Sequence, residues 1–168
     1  MEKHELVDGN GIKTGKIITN IEARDAKNIP DGYYVDVVGV VIINNKNEVL
    51  LQKRSKNKRN NPGKWGICGG KIDAGESTID AGIRETFEEI GVILNKNDFK
   101  LLNIAKSEKA YFTVYYVKNN IDINKCKIQE KEVEELKYFK INEIDELERE
   151  PFEWLDKLKE LFNNMFIT

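Results

Sequence analysis

The feature that most constrains the fold is an amphipathic helix with acidic residues on one face. Apolar residues recur at helical spacing between Glu76 and Ile90, and Gly91 follows as a C-terminal cap. At ~100° per residue, an arc of ~100° holds the acidic residues Glu85, Glu88 and Glu89. The opposite face carries the apolar residues Ile79, Ile83, Phe87 and Ile90. This pattern predicts that one face packs on a core and the other presents a patch of carboxylates.

The carboxylate patch predicts a cation close by. Like charges at this spacing destabilise a helix by about 0.2–0.5 kcal/mol per pair. Hard oxygen ligands favour Mg²⁺, Mn²⁺ or Ca²⁺ over zinc. Gly82 falls on the carboxylate side, where its missing side chain leaves room for a ligand or for backbone. For three glutamates alone, a surface helix that pairs with lysines elsewhere is the simpler interpretation.

Segments rich in β-branched and aromatic residues surround the helix and predict a sheet. The expected strands are residues 35–43, 48–53, 64–68, 99–107, 110–118 and 134–139. Strands on both sides of a central helix indicate a mixed α/β (α+β) domain. A single domain over residues 1–168 is therefore expected.

The two ends of the chain carry further elements. Residues 1–34 are expected to form an N-terminal extension with a hairpin in residues 4–20. Residues 141–168 are expected to hold two helices, 141–147 and 151–163, with Pro151 in a first helical turn.

Composition and charge exclude several functional classes. The chain of 168 residues has a net charge of −2, which disfavours stable nucleic-acid binding. It has no run of 18 apolar residues and no signal-like start, so we expect no membrane partner. Two cysteines, Cys68 and Cys126, are too few for a disulfide framework and indicate a cytoplasmic protein. Because His4 is the only histidine, carboxylates must carry any metal or acid–base chemistry.

Residues 70–92, GKIDAGESTIDAGIRETFEEIGV, contain a regularly spaced set of residues. The set consists of Gly70, Glu76, Arg84, Glu85, Glu88, Glu89, Gly91 and the apolar Val92. This spacing resembles the box of the Nudix hydrolase superfamily, with Thr86 standing where an aliphatic residue is usual. Residues 5–15, 50–55 and 62–65 are similar to the subgroup related to isopentenyl diphosphate isomerase.

The resemblance implies a fold and a reaction. The fold is an α/β/α sandwich with a mixed sheet and a metal-binding loop–helix–loop. The reaction is hydrolysis of a diphosphate bond in a nucleoside diphosphate linked to another moiety, with Mg²⁺ or Mn²⁺ and attack by an activated water. The partner is accordingly a small nucleotide derivative.

The resemblance also implies roles for individual residues. The expected metal ligands are the Gly69 carbonyl and the carboxylates of Glu85, Glu88 and Glu89, joined by Glu130 or Glu132 from a late loop. Glu76 and Arg84 are expected to hold each other and to orient the loop. For the group that accepts the proton of water we choose Glu85, with Glu89 next.

A basic stretch precedes the box. Residues 52–64 contain six basic residues and no acidic one. Lys53, Arg54 and Lys71 lie next to the predicted site in sequence, where cations could hold phosphate oxygens. A solvated loop is the alternative explanation of such a stretch. No pattern in the sequence identifies the group attached to the diphosphate. The sequence does not determine the oligomeric state either, and a homodimer is compatible with it.

Two alternative functions are compatible with the sequence. In the related isomerases a catalytic cysteine stands near the position of Cys68, but Gly70 replaces their metal-binding histidine, and the box is intact here. Under the hydrolase hypothesis Cys68 is a small buried residue of a strand. The second alternative is a regulator that binds a nucleotide without cutting it, against which the intact carboxylate set argues.

Overall fold

A computed structural model describes residues 2–167, so Met1 and Thr168, the predicted domain ends, lie outside the described part. The strands are β1 Lys3–Val7, β2 Lys13–Thr19, β3 Val35–Ile43, β4 Glu48–Arg54, β5 Trp65–Gly66, β6 Cys68–Lys71, β7 Lys100–Lys106, β8 Ala110–Lys118 and β9 Val133–Lys140. The α-helices are α1 Thr78–Ile90, α2 Ile141–Ile144 and α3 Leu155–Ile167. The predicted strands are therefore present, and residues 64–68 fall on the two short strands β5 and β6. Within the described residues, none of the helices has the length and hydropathy that a membrane span requires.

Strand β3 lies at the centre of a mixed sheet. The strands are ordered β5-β4-β3-β8-β7, with β6 also paired to β3 and β9 to β4. β3 runs parallel to β8, with Val35 opposite Ala110 and Ile43 opposite Lys118, and antiparallel to its other partners. Because helices cover both faces, nearly every residue of β3 is buried, which explains its continuous β-branched run.

The two faces of the sheet carry separate cores. Val40 and Ile42 of β3 pack with Ile90 of α1 on one face. Val41 and Ile43 pack on the other face with residues that include Trp154 and Leu158. Helices on both faces of a mixed sheet confirm the α/β/α sandwich that the sequence predicts.

The structure corrects the predicted orientation of α1. Ser77 begins the helix by accepting a hydrogen bond from the Asp80 amide at 3.1 Å, and Gly91 ends it at φ 74°, as expected. Phe87, however, is 53% exposed, and the buried residues are Ala81, Gly82, Thr86, Glu89 and Ile90. The prediction of a core face built on Ile79, Ile83, Phe87 and Ile90 is therefore wrong for Phe87.

Gly82 explains the rotation of α1. A Cβ on Gly82 would lie 3.0 Å from the Phe99 ring and 3.1 Å from a Val40 methyl group, so the glycine faces the core and not a ligand. Its missing side chain lets α1 pack closely against β3. With the helix in this orientation, Glu89 lies on the buried face of α1.

The ends of the chain follow the prediction only in part. β1 and β2 form the expected hairpin. Helix α2 is shorter than predicted, because it ends at Ile144. Helix α3 has the predicted length but begins four residues later, at Leu155, so Pro151 is not in a first helical turn. The backbone between these helices pairs with Trp65 instead: the Trp65 amide donates to the Glu148 carbonyl, and the Glu150 amide donates to the Trp65 carbonyl.

Candidate active site

Glu89 is the most deeply buried carboxylate of the helix, at 6% exposure. Its Oε1 accepts a hydrogen bond from the Gly69 amide at 2.8 Å, and its Oε2 accepts one from Nε2 of Gln52. Burial raises the pKa of Glu89 to about 8, although these two hydrogen bonds favour the charged form. Among the described residues, no lysine or arginine nitrogen lies within 4.0 Å of this carboxylate.

Glu85 lies one turn before Glu89 and packs against Gly70. A Cβ on Gly70 would lie 2.4 Å from Oε1 of Glu85, so only glycine leaves room for the carboxylate there. Nη1 of Arg84 donates to the same oxygen at 3.0 Å. Burial raises the pKa of Glu85 to about 7, and the charge of Arg84 opposes this shift.

Arg84 and Glu76 form a two-pronged ion pair. Nε and Nη2 of Arg84 donate to the two carboxylate oxygens of Glu76 at 2.8 and 2.9 Å. Nη2 also donates to the Lys71 carbonyl at 3.1 Å, and the Asp73 amide donates to Glu76 at 3.1 Å. Arg84 therefore joins the helix to the loop before it, which is the contact that the box resemblance implies.

The remaining predicted metal ligands occupy different surroundings. Glu88 has a side chain that is 54% exposed, and it accepts a hydrogen bond from Arg84 at 3.3 Å. Glu132 pairs with Lys58, and its negative charge adds to the effect of burial in raising the pKa of Glu89. Glu130 is exposed and lines an open pocket whose described residues are Cys126, Ile128, Glu130, Val133 and Glu134. Of these two loop carboxylates, Glu132 is the one whose charge influences Glu89.

The three predicted phosphate-binding cations are also separated. Lys71 is partly buried, its Nζ donates to Asn20 at 3.3 Å, and burial lowers its pKa while the nearby Glu85 opposes this. Arg54 donates to the Asn60 carbonyl at 3.0 Å and lies 3.3 Å from Glu150. Lys53 pairs with Trp65 of β5, and strand alternation places its side chain on the opposite face from Gln52. Of these three cations, Lys71 is the one whose pKa is influenced by a carboxylate of the helix, Glu85.

The structure adds contacts that the sequence did not reveal. Nδ1 of His4 donates to the Ile72 carbonyl at 2.9 Å, and the Ala74 amide donates to the Lys3 carbonyl at 2.8 Å. Nζ of Lys13 donates to the Glu76 carbonyl at 3.0 Å. The N-terminal hairpin therefore holds the loop before α1 along its length. The only sequence signal for this contact is a histidine in an otherwise apolar strand position.

Cys68 is buried in β6 at 5% exposure, as predicted for a small strand residue. Its Sγ–H donates to Oε1 of Gln52 at 3.2 Å, and burial raises its pKa. A neutral thiol that already has a hydrogen-bond partner is a poor nucleophile or acid.

The partly buried carboxylate of Glu85 and the buried one of Glu89 lie on a loop–helix–loop within an α/β/α sandwich, and this combination indicates a class of enzymes. The family profile described as the NUDIX domain matches residues 33–158. The chain therefore belongs to the Nudix family, and it is a Nudix hydrolase, an enzyme that cleaves pyrophosphate bonds in nucleoside diphosphate derivatives.

Three individual proteins illustrate what this chain is similar to. An uncharacterised Nudix hydrolase of Listeria monocytogenes is 27% identical over 168 residues, which cover 97% of this chain and 96% of the relative. An isopentenyl-diphosphate delta-isomerase of Streptomyces coelicolor is 35% identical over 89 residues, covering 52% of this chain and 43% of the relative. A crystal structure from Deinococcus radiodurans superposes with a TM-score of 0.70 at 17% identity, covering 95% of this chain and 98% of that one, and supports the fold.

Proposed function

We propose that this chain hydrolyses a diphosphate bond in a nucleoside diphosphate linked to another moiety, using Mg²⁺ or Mn²⁺. The observation that carries this proposal is the environment of Glu89. This carboxylate is buried, it accepts two hydrogen bonds from neutral donors, and no described lysine or arginine pairs with it. A carboxylate removed from water without a cation is costly, and a divalent cation is the partner that offsets the cost.

The donor set fits a hard divalent cation. We propose that Glu85, Glu88 and Glu89 hold it together with the carbonyl of Gly69, and that Glu132 joins from the loop before β9. Glu130 stays an alternative for that last position, but the influence of the Glu132 charge on the pKa of Glu89 favours Glu132. When bound, the metal neutralises the diphosphate, polarises phosphorus and makes water a better nucleophile.

The side chains of the protein supply the remaining steps. Arg84 and Glu76 fix the loop and thereby the backbone of Gly69 and Lys71. Lys71 holds a phosphate oxygen, with Lys53 and Arg54 as further candidates, the latter after its contacts with Asn60 and Glu150 are released. For the group that accepts the proton of the attacking water we choose Glu85, which lies beside Gly70 and Arg84, with Glu89 as the second candidate.

An activity screen tests the proposal. The wild-type chain is incubated with a panel of nucleoside diphosphate derivatives and Mg²⁺ or Mn²⁺, and release of a nucleoside monophosphate or of phosphate is measured. We expect metal-dependent turnover that falls by about 10²-fold or more in Glu85→Gln and Glu89→Gln. Glu153→Gln, an exposed glutamate before α3, is the matched control and should keep full activity. Saturable nucleotide binding without turnover across the panel would indicate a regulator instead.

A prenyl-diphosphate isomerase is the second candidate function, favoured by the partial match to the Streptomyces enzyme. It requires chemistry at Cys68. The burial of this thiol and its hydrogen bond to Gln52 support the hydrolase over the isomerase. Allylic rearrangement of isopentenyl diphosphate that disappears in Cys68→Ala would reverse this preference.

We propose a cytoplasmic location for the protein, acting as one domain on a small nucleotide derivative without stable nucleic-acid binding. The support is that Cys68 and Cys126 are both free thiols, as a reducing compartment maintains them.

A further inference from the structure

Gln52 is a fully buried polar residue in the middle of the sheet, at 2% exposure. It lies on β4, between Gly66 of β5 and Leu136 of β9, and its side chain faces α1. Neither the spacing of the box nor the charge pattern of the sequence involves it. A buried amide in an apolar strand is costly unless each polar atom has a partner.

Three neighbours determine which way the amide of Gln52 points. Its Oε1 accepts a hydrogen bond from the thiol of Cys68 at 3.2 Å. Its Nε2 donates to Oε2 of Glu89 and lies 3.4 Å from the carbonyl of Ile67. The reversed amide would place its oxygen against the Glu89 carboxylate, which is a contact between two acceptors. The amide therefore presents its N–H group to Glu89.

The Glu89 carboxylate is held at both oxygens by donors from two different strands. Gly69 of β6 supplies its amide to Oε1, and this residue cannot vary because a Cβ there would lie 2.2 Å from the Val38 carbonyl. Gln52 of β4 supplies the donor to Oε2. Each carboxylate oxygen keeps one lone-pair direction free, and the two hydrogen bonds decide where those directions point.

We propose that Gln52 is a positioning residue that orients Glu89 for divalent-cation binding, with the thiol of Cys68 holding Gln52 in place. This inference rests on the proposed role of Glu89 as a metal ligand. It assigns a function to Cys68 that requires no reactive thiol. It also explains why a polar side chain occupies the centre of a strand whose neighbours Leu50 and Leu51 are buried and apolar.

Titration calorimetry with Mn²⁺ alone tests the proposal. Gln52→Met keeps the length of the side chain and removes its donor. We expect Mn²⁺ affinity to fall by about 10- to 100-fold, the usual effect of losing a residue that orients a ligand. Leu50→Met alters packing on the same face of the same strand and should leave the affinity within about twofold of wild type, because such swaps are well tolerated. For a hydrolysed substrate, kcat and KM at saturating Mn²⁺ should both stay close to wild type in Gln52→Met, whereas partial unfolding would lower the apparent kcat at every Mn²⁺ concentration.

A folded Gln52→Met protein with wild-type Mn²⁺ affinity would overturn the inference. If that variant does not fold, Gln52→Asn replaces it, because the shorter amide stays polar but cannot reach Glu89, and the same loss is expected. In a Glu89→Gln background, Gln52→Met should cause no further loss, and an additive loss would also overturn the inference. Absence of Mn²⁺ binding by the wild-type chain would instead refute the metal site of the proposed function.

Discussion

Gly70 and Glu85 occupy one space: a Cβ on the glycine would lie 2.4 Å from a carboxylate oxygen of the glutamate. Position 70 therefore needs glycine to leave room for the Glu85 side chain, and not because of its backbone conformation. Gly70 lies in the regular pairing of β6 with β3, opposite Val38, where alanine also fits a strand.

Gly70→Ala should therefore leave the fold intact and displace Glu85. A misplacement of about 1 Å in a catalytic group can cost about 10²-fold in rate, and we expect a loss of this size in kcat. The matched control is Gly9→Ala, whose added Cβ meets its neighbours at 3.7 Å or more and should change neither rate nor melting temperature. Wild-type kcat in Gly70→Ala would show that the position of Glu85 does not matter for the reaction.

Arg84→Lys should impair the protein although the charge is kept. Lysine cannot reproduce the two parallel hydrogen bonds from Arg84 to Glu76. We expect the free energy of unfolding to fall by about 1–2 kcal/mol and activity to fall by about tenfold or more. Urea unfolding and initial rates measure the two effects. Glu76→Gln should show a loss of similar size, and the double variant should lose less than the sum of the single variants, because both substitutions remove one interaction.

The stability contribution of Asp36 should depend on pH. This carboxylate is 7% exposed, and burial raises its pKa from 3.8 to about 6. As the pH rises, the carboxyl group therefore loses its proton at a higher pH in the folded state than in the unfolded state. Below pH 4 Asp36 does not lower the free energy of unfolding, and above pH 6 it lowers it by the full amount. We expect the free energy of unfolding of Asp36→Asn, relative to that of wild type, to rise by about 1–3 kcal/mol between pH 4.5 and pH 8, as measured by urea unfolding at both values. A pH-independent difference would contradict this assignment.

Metal binding should release protons near neutral pH. Burial raises the pKa of Glu85 to about 7 and that of Glu89 to about 8 in the metal-free protein, so both are partly protonated at pH 7. A divalent cation has to displace these protons, and its affinity should rise from pH 6 to pH 8.5. Calorimetry with Mn²⁺ in buffers of different ionisation enthalpy counts the protons released. A binding heat that is the same in all buffers would argue against these carboxylates as ligands.

The sequence predicted the parts of the site that lie on one helix. Glu85, Glu88 and Glu89 are neighbours because of helical spacing alone, so their common face follows from the period. The central strand β3 is also recognisable from local sequence, because Val35–Ile43 is a nearly continuous run of β-branched residues.

The contacts between elements could not be predicted in this way. The bond between Gln52 and Glu89 joins residues 37 positions apart and depends on how α1 is rotated over β4. That rotation follows from the close packing at Gly82, which a helical wheel does not reveal, and the wheel wrongly placed Phe87 in the core. The resemblance to a known box supplied the pairing of Glu76 with Arg84, which spacing alone leaves open.

The attachment of the N-terminal hairpin to the loop before α1 sets an order of events during synthesis of the chain. His4 and the carbonyl it contacts are 68 positions apart, so β1 leaves the ribosome long before its partner. Until then Leu6 and Ile18 of the hairpin can bury themselves only against nearby residues such as Ile29 and Val35. The loop that carries Glu76 therefore reaches its final contacts only by docking on a hairpin that was synthesised earlier. A fusion or tag that restrains the first residues would disturb these contacts and so change the active site indirectly.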